Sequence, residues 1–391
     1  MKIGHYDSEL WEPGGVANYM RRVGAAQQAL GHEVVYFSLH PPAGRRVDFA
    51  PFVPVLNTAE LFVQAERLGL DILHVHKAVS NPQSSAVPLI RTLHGHHPYC
   101  PSGGRYLKRW QKPCDRAYHP LGCLVSRFSD RCGSVRPYKI QDNFRHTWRE
   151  MRTLPHIPVM AVSDFLRQQM IRAGYPDNGI QVLHLFAPAL GNSDPPPQGD
   201  IPHVLFLGRI TPSKGIDWLL KAFQQVSVPL HLDIAGDGDY TEAIKQLAED
   251  LGLQERVTFH GWVSAERVNE LIQLSRALVF PSVWHEPGGT VAFEAMANAR
   301  AVVMSRVGGM PEVVLDNVNG LLVEPWHIEQ LRISLETLAT DWDLARCLGA
   351  AGRRSVAENY TLQAHLDVLM KAYDEATQRT IPPVKPFAKV K

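Results

Sequence analysis

Three times along this chain a short apolar run ends in a glycine-bearing turn and gives way to a helical pattern. Lys2–Tyr6 leads through Gly14-Gly15 into Val16–Leu30. Val204–Gly208 leads through Lys214-Gly215 into a helix from Ile216, with apolar positions at Leu219, Leu220 and Phe223. Ala277–Pro281 leads through Pro287-Gly288-Gly289 into Thr290–Asn298. Further runs at Val34–Phe37, Ile72–His76, Leu89–His94, Val159–Ser163 and Ile180–Leu185 alternate with helical patterns at Ile140–Met151 and Phe165–Ala173. Strand-then-helix repetition specifies parallel sheets, because parallel neighbours need a long crossover and the crossover helix covers the sheet. At 391 residues there is length for two such units. The Pro-, Gly-, Asn- and Asp-rich segment Pro188–Pro202 reads as the linker between them. The expected organisation is a first domain over 1–190, a second over 200–361, a last helix over 362–379 and a Pro- and Lys-rich disordered tail over 380–391. Helices are expected near Ile328–Leu338, Asp343–Asn359 and Leu362–Thr377.

The turns carry the chemistry. A glycine-rich strand-to-helix turn exposes free backbone N–H groups at a helix N-terminus, which suits phosphate. Glu286 lies at the mouth of the third turn and Glu294 about one turn into its helix, so one acid can meet a sugar and the other a ribose. Arg209 and Lys214 share the loop of the second turn, where two cations can neutralise a diphosphate. The acid pair alone reads more readily as an ordinary surface helix, and the cation pair alone is equally compatible with a solvated loop. Dinucleotide and Walker patterns are not matched: WEPGGVAN lacks G-x-G-x-x-G, and GRITPSKG has no Ser or Thr after its Lys.

Taken together, GRITPSKGID, IAGDGDY, RVTFHGWVS, EPGGTVAFEAMA, GGMPEVV and NGLLVEP resemble the retaining glycosyltransferases of family 4, in order and spacing over most of residues 203–325. The resemblance implies a GT-B fold: α/β, two Rossmann-like domains facing across a cleft, with the last helix crossing back so that Tyr373 packs on the first domain. It implies a hexosyl donor in the form of a nucleoside-diphosphate sugar, and no metal requirement for catalysis. By the same resemblance Arg209 and Lys214 hold the diphosphate, with Gly288, Gly289 and Thr290 presenting the helix terminus. Glu286 touches the donor sugar, Glu294 binds the ribose and the backbone near Val263 meets the base. Gly14 and Gly15 correspond to the glycine pair that closes over the phosphates. His94, at the end of its strand, corresponds to the histidine facing the donor sugar, with His96 and His97 as alternatives. Two departures stand out: Gly288-Gly289-Thr290 replaces the usual Phe-Gly-Leu, and Ala299-Arg300-Ala301 the usual Gly-x-Pro. The first predicts a roomier or more polar donor-sugar pocket.

Four of five cysteines, Cys100, Cys114, Cys123 and Cys132, cluster in an insertion at about 97–136, far from Cys347. In a reducing compartment such a cluster points to metal more than to disulfides, and structural zinc on these four thiols, with His119 as a substitute ligand, is the expectation set against a disulfide or unligated thiols. Residues 105–152 hold nine Arg and three Lys against three Asp and one Glu, a net +8 in a chain of net +1. With Tyr106, Trp110, Tyr118 and Phe128, this basic region suits an anionic or lipid-linked acceptor, or peripheral contact with an anionic membrane. A net charge near zero argues against a dedicated nucleic-acid binder. No apolar stretch is long enough to span a bilayer and MKIGHYDSEL has no signal-peptide pattern, so a cytoplasmic location is expected. Two other readings stay open: a catalytically weak carbohydrate- or partner-binding protein on the same fold, and phosphorolysis, for which no further phosphate site is evident.

Overall fold

The structure, a computed structural model, describes residues 1–11, 14–39 and 51–378. The predicted disordered tail lies outside the described residues. The first sheet is seven-stranded and parallel, ordered Phe52–Pro54, Glu33–Ser38, Lys2–Tyr6, Ile72–Val75, Leu89–Leu93, Val159–Ala161, Ile180–Val182. The second is six-stranded and parallel, ordered Val257–Gly261, His231–Ala235, His203–Leu207, Ala277–Phe280, Ala301–Ser305, Leu321–Val323. Both follow the doubly wound order, with the first strand of each half beside the fourth. In the second sheet the strands that follow the reversal are almost wholly apolar. Ala277–Phe280 and Ala301–Ser305 are buried throughout, as parallel strands covered by helices on both sides must be.

Each expected strand forms: Lys2–Tyr6 keeps its expected bounds, Val34–Phe37 extends to Glu33–Ser38, Val204–Gly208 shifts to His203–Leu207, and the others end one to three residues early. Ile180–Leu185 stops at Val182, and Leu89–His94 stops at Leu93, which frees His94 from the ladder. Segment 188–202 carries no helix or strand. Its carbonyls are held by the second half, Pro196 by the Trp342 indole at 2.8 Å and Pro197 by Arg276 at 2.9 Å. The last helix, Leu362–Gln378, packs Leu366, Leu369, Ala372, Tyr373 and Ala376 into a core of first-half residues. Tyr373 is fully buried there, its hydroxyl 2.7 Å from His74 Nδ1 and 3.2 Å from the Gln27 amide nitrogen. A doubly wound sheet binds ligands at the carboxyl ends of its strands, where the order reverses. The two sheets therefore define where the site is to be sought.

Candidate active site

The loops at the reversal point of the second sheet bring together the residues expected there. Lys214 ends a short 3-10 turn, and Gly215 follows it at φ +71°, where a Cβ would lie 2.0 Å from the Pro281 carbonyl. Only glycine lets the two loops approach this closely. Lys214 Nζ lies 2.6 Å from Glu286 Oε1 and over the rings of Phe280 and Trp284, at 4.9 and 5.2 Å from their centroids. The Ser282 hydroxyl donates to the same carboxylate oxygen at 2.7 Å. The Glu286 side chain is 7% exposed, so its charge is held by one cation and one hydroxyl. Gly308, at φ +56°, passes so close that a Cβ would lie 2.2 Å from the Glu286 carbonyl, and Gly309 N–H donates to that carbonyl at 2.8 Å.

Arg209 lies on the same loop as Lys214, exposed and without an ion pair among the described residues. Thr290–Ala297 forms the helix after Gly288-Gly289. Glu294 sits inside it, and burial pushes its carboxyl up to about 7, against the opposing pull of Arg22 from the first half. Val263 packs against the small core of Leu205, Ala235, Leu271 and Ile272 beside the reversal point. At Gly288, beside the donor-sugar pocket expected to be roomier or more polar, an added Cβ would lie 2.9 Å from Leu185 Cδ1, so Leu185 occupies the space next to this glycine. At Gly14 and Gly15 an added Cβ would meet nothing within 4 Å among the described residues. Packing against the described residues does not explain these two glycines, and approach of a ligand to the backbone would.

Across the cleft, His94 ends a relay of buried side chains. With the Gln27 amide nitrogen given to Tyr373, its oxygen accepts from His5 Nε2 at 2.8 Å. His5 Nδ1 must then accept from His76 Nε2 at 3.2 Å, and His76 Nδ1 from His94 Nε2 at 3.1 Å. Burial holds His94 down at about 3, Arg91 adding to the effect, so the ring is neutral. The relay thus leaves His94 Nδ1 as an acceptor with no partner among the described residues. Although His5, His74 and His76 bring ligating atoms within 4.8 Å of one another, all six of their ring nitrogens have partners in the relay or on Tyr373 and Thr92. His94 and His97 line a cleft of about 960 Å³ together with Lys77, Arg91, Arg149 and Trp284. His96 borders the same cleft but is fully buried, donating through Nε2 to the His285 carbonyl at 2.7 Å and meeting the Tyr99 hydroxyl at 2.5 Å.

The insertion folds as a two-stranded ribbon, Tyr106–Leu107 with Lys112–Pro113, and a helix, Pro120–Ser129. It reaches the second half beside Glu286: the Trp284 indole donates to the Gly104 carbonyl, and Asp115 pairs with His285 Nε2 at 2.8 Å. Cys100, Cys114, Cys123 and Cys132 line one cavity of about 230 Å³, with His119 at its edge. Burial pushes the Cys132 thiol up to about 11, the other three thiols adding to the effect. The triads of ligating atoms within 4.8 Å of one another are His5–His74–His76 and His203–His231–Asp233, and no cysteine triad is among the described residues. The expectation of one zinc on these four cysteines therefore meets a set in which no three thiols stand within 4.8 Å of one another, whereas Zn–S bonds of about 2.3 Å place sulfurs about 3.8 Å apart.

Sequence reasoning passes over Ser282, Trp284, Arg22 and Glu312. Glu312 accepts from the N–H groups of Asp164 and Phe165 at 2.8 and 2.7 Å, closing a first-half helix terminus from the second half. It stands in the quoted GGMPEVV, and an acid three residues after a Gly-Gly pair was the available signal.

The family description "Glycosyltransferase Family 4" matches residues 13–187, and "Glycosyl transferases group 1" matches residues 193–355. The chain belongs to glycosyltransferase family 4 and has the GT-B fold. It is 33% identical over 192 residues to a GDP-mannose-dependent alpha-(1-6)-phosphatidylinositol monomannoside mannosyltransferase of Mycolicibacterium smegmatis, 46% of this chain and 50% of that one. The chain spans about half to two thirds of the length of the first curated relatives it matches. Among solved structures, a sucrose-phosphate synthase of Thermosynechococcus elongatus aligns over 96% of this chain and 98% of its own, at 20% identity and a TM-score of 0.73. Anabaena HepE in complex with UDP-glucose aligns over 96% and 100%, at 18% identity and a TM-score of 0.70. These likenesses establish the shared fold. Among the described residues no helix is long and apolar enough to cross a membrane.

Proposed function

We propose that this family 4 chain transfers a hexosyl group from a nucleoside-diphosphate sugar to a glycan, lipid-linked or small-molecule acceptor, with retention of anomeric configuration. The observation that carries the reading is the convergence of Lys214, Glu286 and Ser282 at the reversal point of the second sheet, with the unpaired Arg209 on the same loop. Arg209 and Lys214 neutralise the departing diphosphate, helped by the helix terminus at Gly288, Gly289 and Thr290, so fixed side-chain and backbone charge does the work of a cation. Gly14 and Gly15 close over the phosphates from the first domain. Glu294 accepts from the ribose and Val263 borders the base. Glu286, already fixed by Lys214 and Ser282, meets the donor sugar, and Nδ1 of His94 accepts from one of its hydroxyls. HepE is described in complex with UDP-glucose and the mycolicibacterial relative as GDP-mannose-dependent, which supports the donor class and leaves the base open.

The acceptor side supports an anionic, lipid-linked molecule taken at a membrane surface by a cytoplasmic enzyme. Helix Pro120–Ser129 exposes Leu121, Leu124, Val125 and Phe128, one helical stripe within the basic insertion. An apolar stripe framed by cations is the pattern of a helix that lies in a bilayer interface. Incubation of the purified protein with UDP-, GDP-, ADP- and dTDP-sugars tests the reading: release of nucleoside diphosphate from at least one donor is expected. Binding of a sugar without any turnover would favour the carbohydrate-binding alternative, and phosphate-dependent release of sugar phosphate would favour phosphorolysis.

A further inference from the structure

The cysteine-bearing insertion buries two guanidinium groups with no anion beside them. Arg127 is 1% exposed and donates to the carbonyls of Ser134 and Pro101 at 3.0 and 2.9 Å. Arg105 is 3% exposed, donates to the Arg116 carbonyl and the Gln169 side-chain oxygen, both at 2.8 Å, and its Nε has no partner. Neither forms an ion pair among the described residues. A buried cation without a counter-charge is strongly unfavourable, so the arrangement calls for negative charge nearby. Both side chains line the cavity that Cys100, Cys114, Cys123 and Cys132 also line. Neutral thiols supply no charge, and four unligated thiolates would repel one another. A metal centre resolves both problems, because four thiolates around a doubly charged core leave about two negative charges, one for each arginine.

The spacing of the thiols bears on what kind of centre it is. One tetrahedral zinc requires every thiol pair to stand about 3.8 Å apart. No three of these thiols come within 4.8 Å of one another. An iron–sulfur cluster distributes its four thiolates over several irons and fills the space between them with sulfide. We infer that Cys100, Cys114, Cys123 and Cys132 hold an iron–sulfur cluster, charge-balanced by Arg105 and Arg127. The insertion has reason to need it. Its backbone takes positive φ at Arg105, Gln111 and Arg131, a strain that persists only where surrounding structure enforces it.

The cluster also braces the loop that carries Glu286, a consequence that rests on the donor role proposed for that residue. Cys100 follows Tyr99, whose hydroxyl positions His96 against the His285 carbonyl. Cys114 precedes Asp115, which holds the His285 ring. His285 is the neighbour of Glu286, so ligands on both arms of the cluster reach the donor loop.

The test uses the full chain, expressed with supplemented iron and purified without oxygen, with iron, acid-labile sulfide and zinc measured on one sample. Equal iron and sulfide, about two or four of each per chain, is expected, with a visible absorption that bleaches on reduction. Cys123→Ser should abolish both, while Cys347→Ser, at an exposed and distant thiol, should leave both unchanged. About one zinc per chain without iron, or protein free of both metals, would overturn the assignment. Removing the iron should open residues 100–135 to protease and reduce donor turnover at least tenfold, with UDP or GDP binding retained; unchanged turnover would overturn the bracing role. If cluster-loaded protein turns over no nucleotide sugar, the enzyme reading fails while the iron and sulfide content still decides the cluster.

Discussion

Removing Lys214 should separate the structural from the chemical role of its pair with Glu286. In Lys214→Met the Glu286 carboxylate stays buried and keeps only the Ser282 hydroxyl. Breaking a buried ion pair by deleting one partner costs about 3–5 kcal/mol. Lys214 retains 18% side-chain exposure, so water can partly replace it and the lower end of that range is expected, about 3 kcal/mol. Replacing both partners, in Lys214→Met with Glu286→Gln, removes the uncompensated charge and should recover stability to within about 1 kcal/mol of the parent. Donor turnover should not recover, because the diphosphate still lacks its cation. The assay is urea denaturation followed by tryptophan fluorescence, since Trp284 lies over Lys214, run beside nucleoside diphosphate release. A double variant as unstable as the two single losses combined would refute the charge argument, and a stable double variant with full turnover would refute the catalytic one.

Glu294 makes stability pH-dependent. Its folded value of about 7 stands above the ordinary 4.5, so the folded state favours the proton, and the stability it contributes is present below about pH 4.5 and lost as pH rises through 7. Glu294→Gln should therefore be more stable than the parent at pH 8 and equal to it near pH 4.5 in thermal melts, and nucleotide binding should weaken below pH 7 in the parent alone; identical profiles would remove the buried carboxyl from the account. Ala299 stands at φ +54°, where the family has glycine, and Ala299→Gly should add about 1 kcal/mol of stability in denaturant titration, with a loss instead showing that its buried methyl outweighs the strain.

The parallel sheets were legible because both of their signals are local: apolar runs such as VLFL and ALVF, and the glycine turns that end them. The edge strand Phe52–Pro54 was not, since three residues ending in proline carry no period, and helix Thr58–Arg67 went unread although Asn57-x-x-Glu60 offers a cap, Asn57 accepting from Glu60 N–H at 3.0 Å. In the site, the charged residues were legible through their place on the turns. The relay from Gln27 through His5 and His76 to His94 was not, because its members come from four separate segments and meet only once the sheet and first helix are assembled. The neighbour of Gly288 was not legible for the same reason, since Leu185 enters from the other half of the chain.

The donor-site assignment is tested most directly by calorimetric binding of sugar-free UDP and GDP to the parent and to Arg209→Ala, Glu294→Ala and Glu286→Ala. Arg209 and Glu294 are placed on the diphosphate and the ribose, and Glu286 on a sugar that is missing from this ligand. The account predicts that the nucleotide which binds the parent binds Arg209→Ala and Glu294→Ala at least tenfold more weakly and Glu286→Ala about equally well, the loss of one charge-assisted contact corresponding to about 1.5–3 kcal/mol. Binding that depends on Glu286 and is indifferent to Arg209 and Glu294 would contradict it.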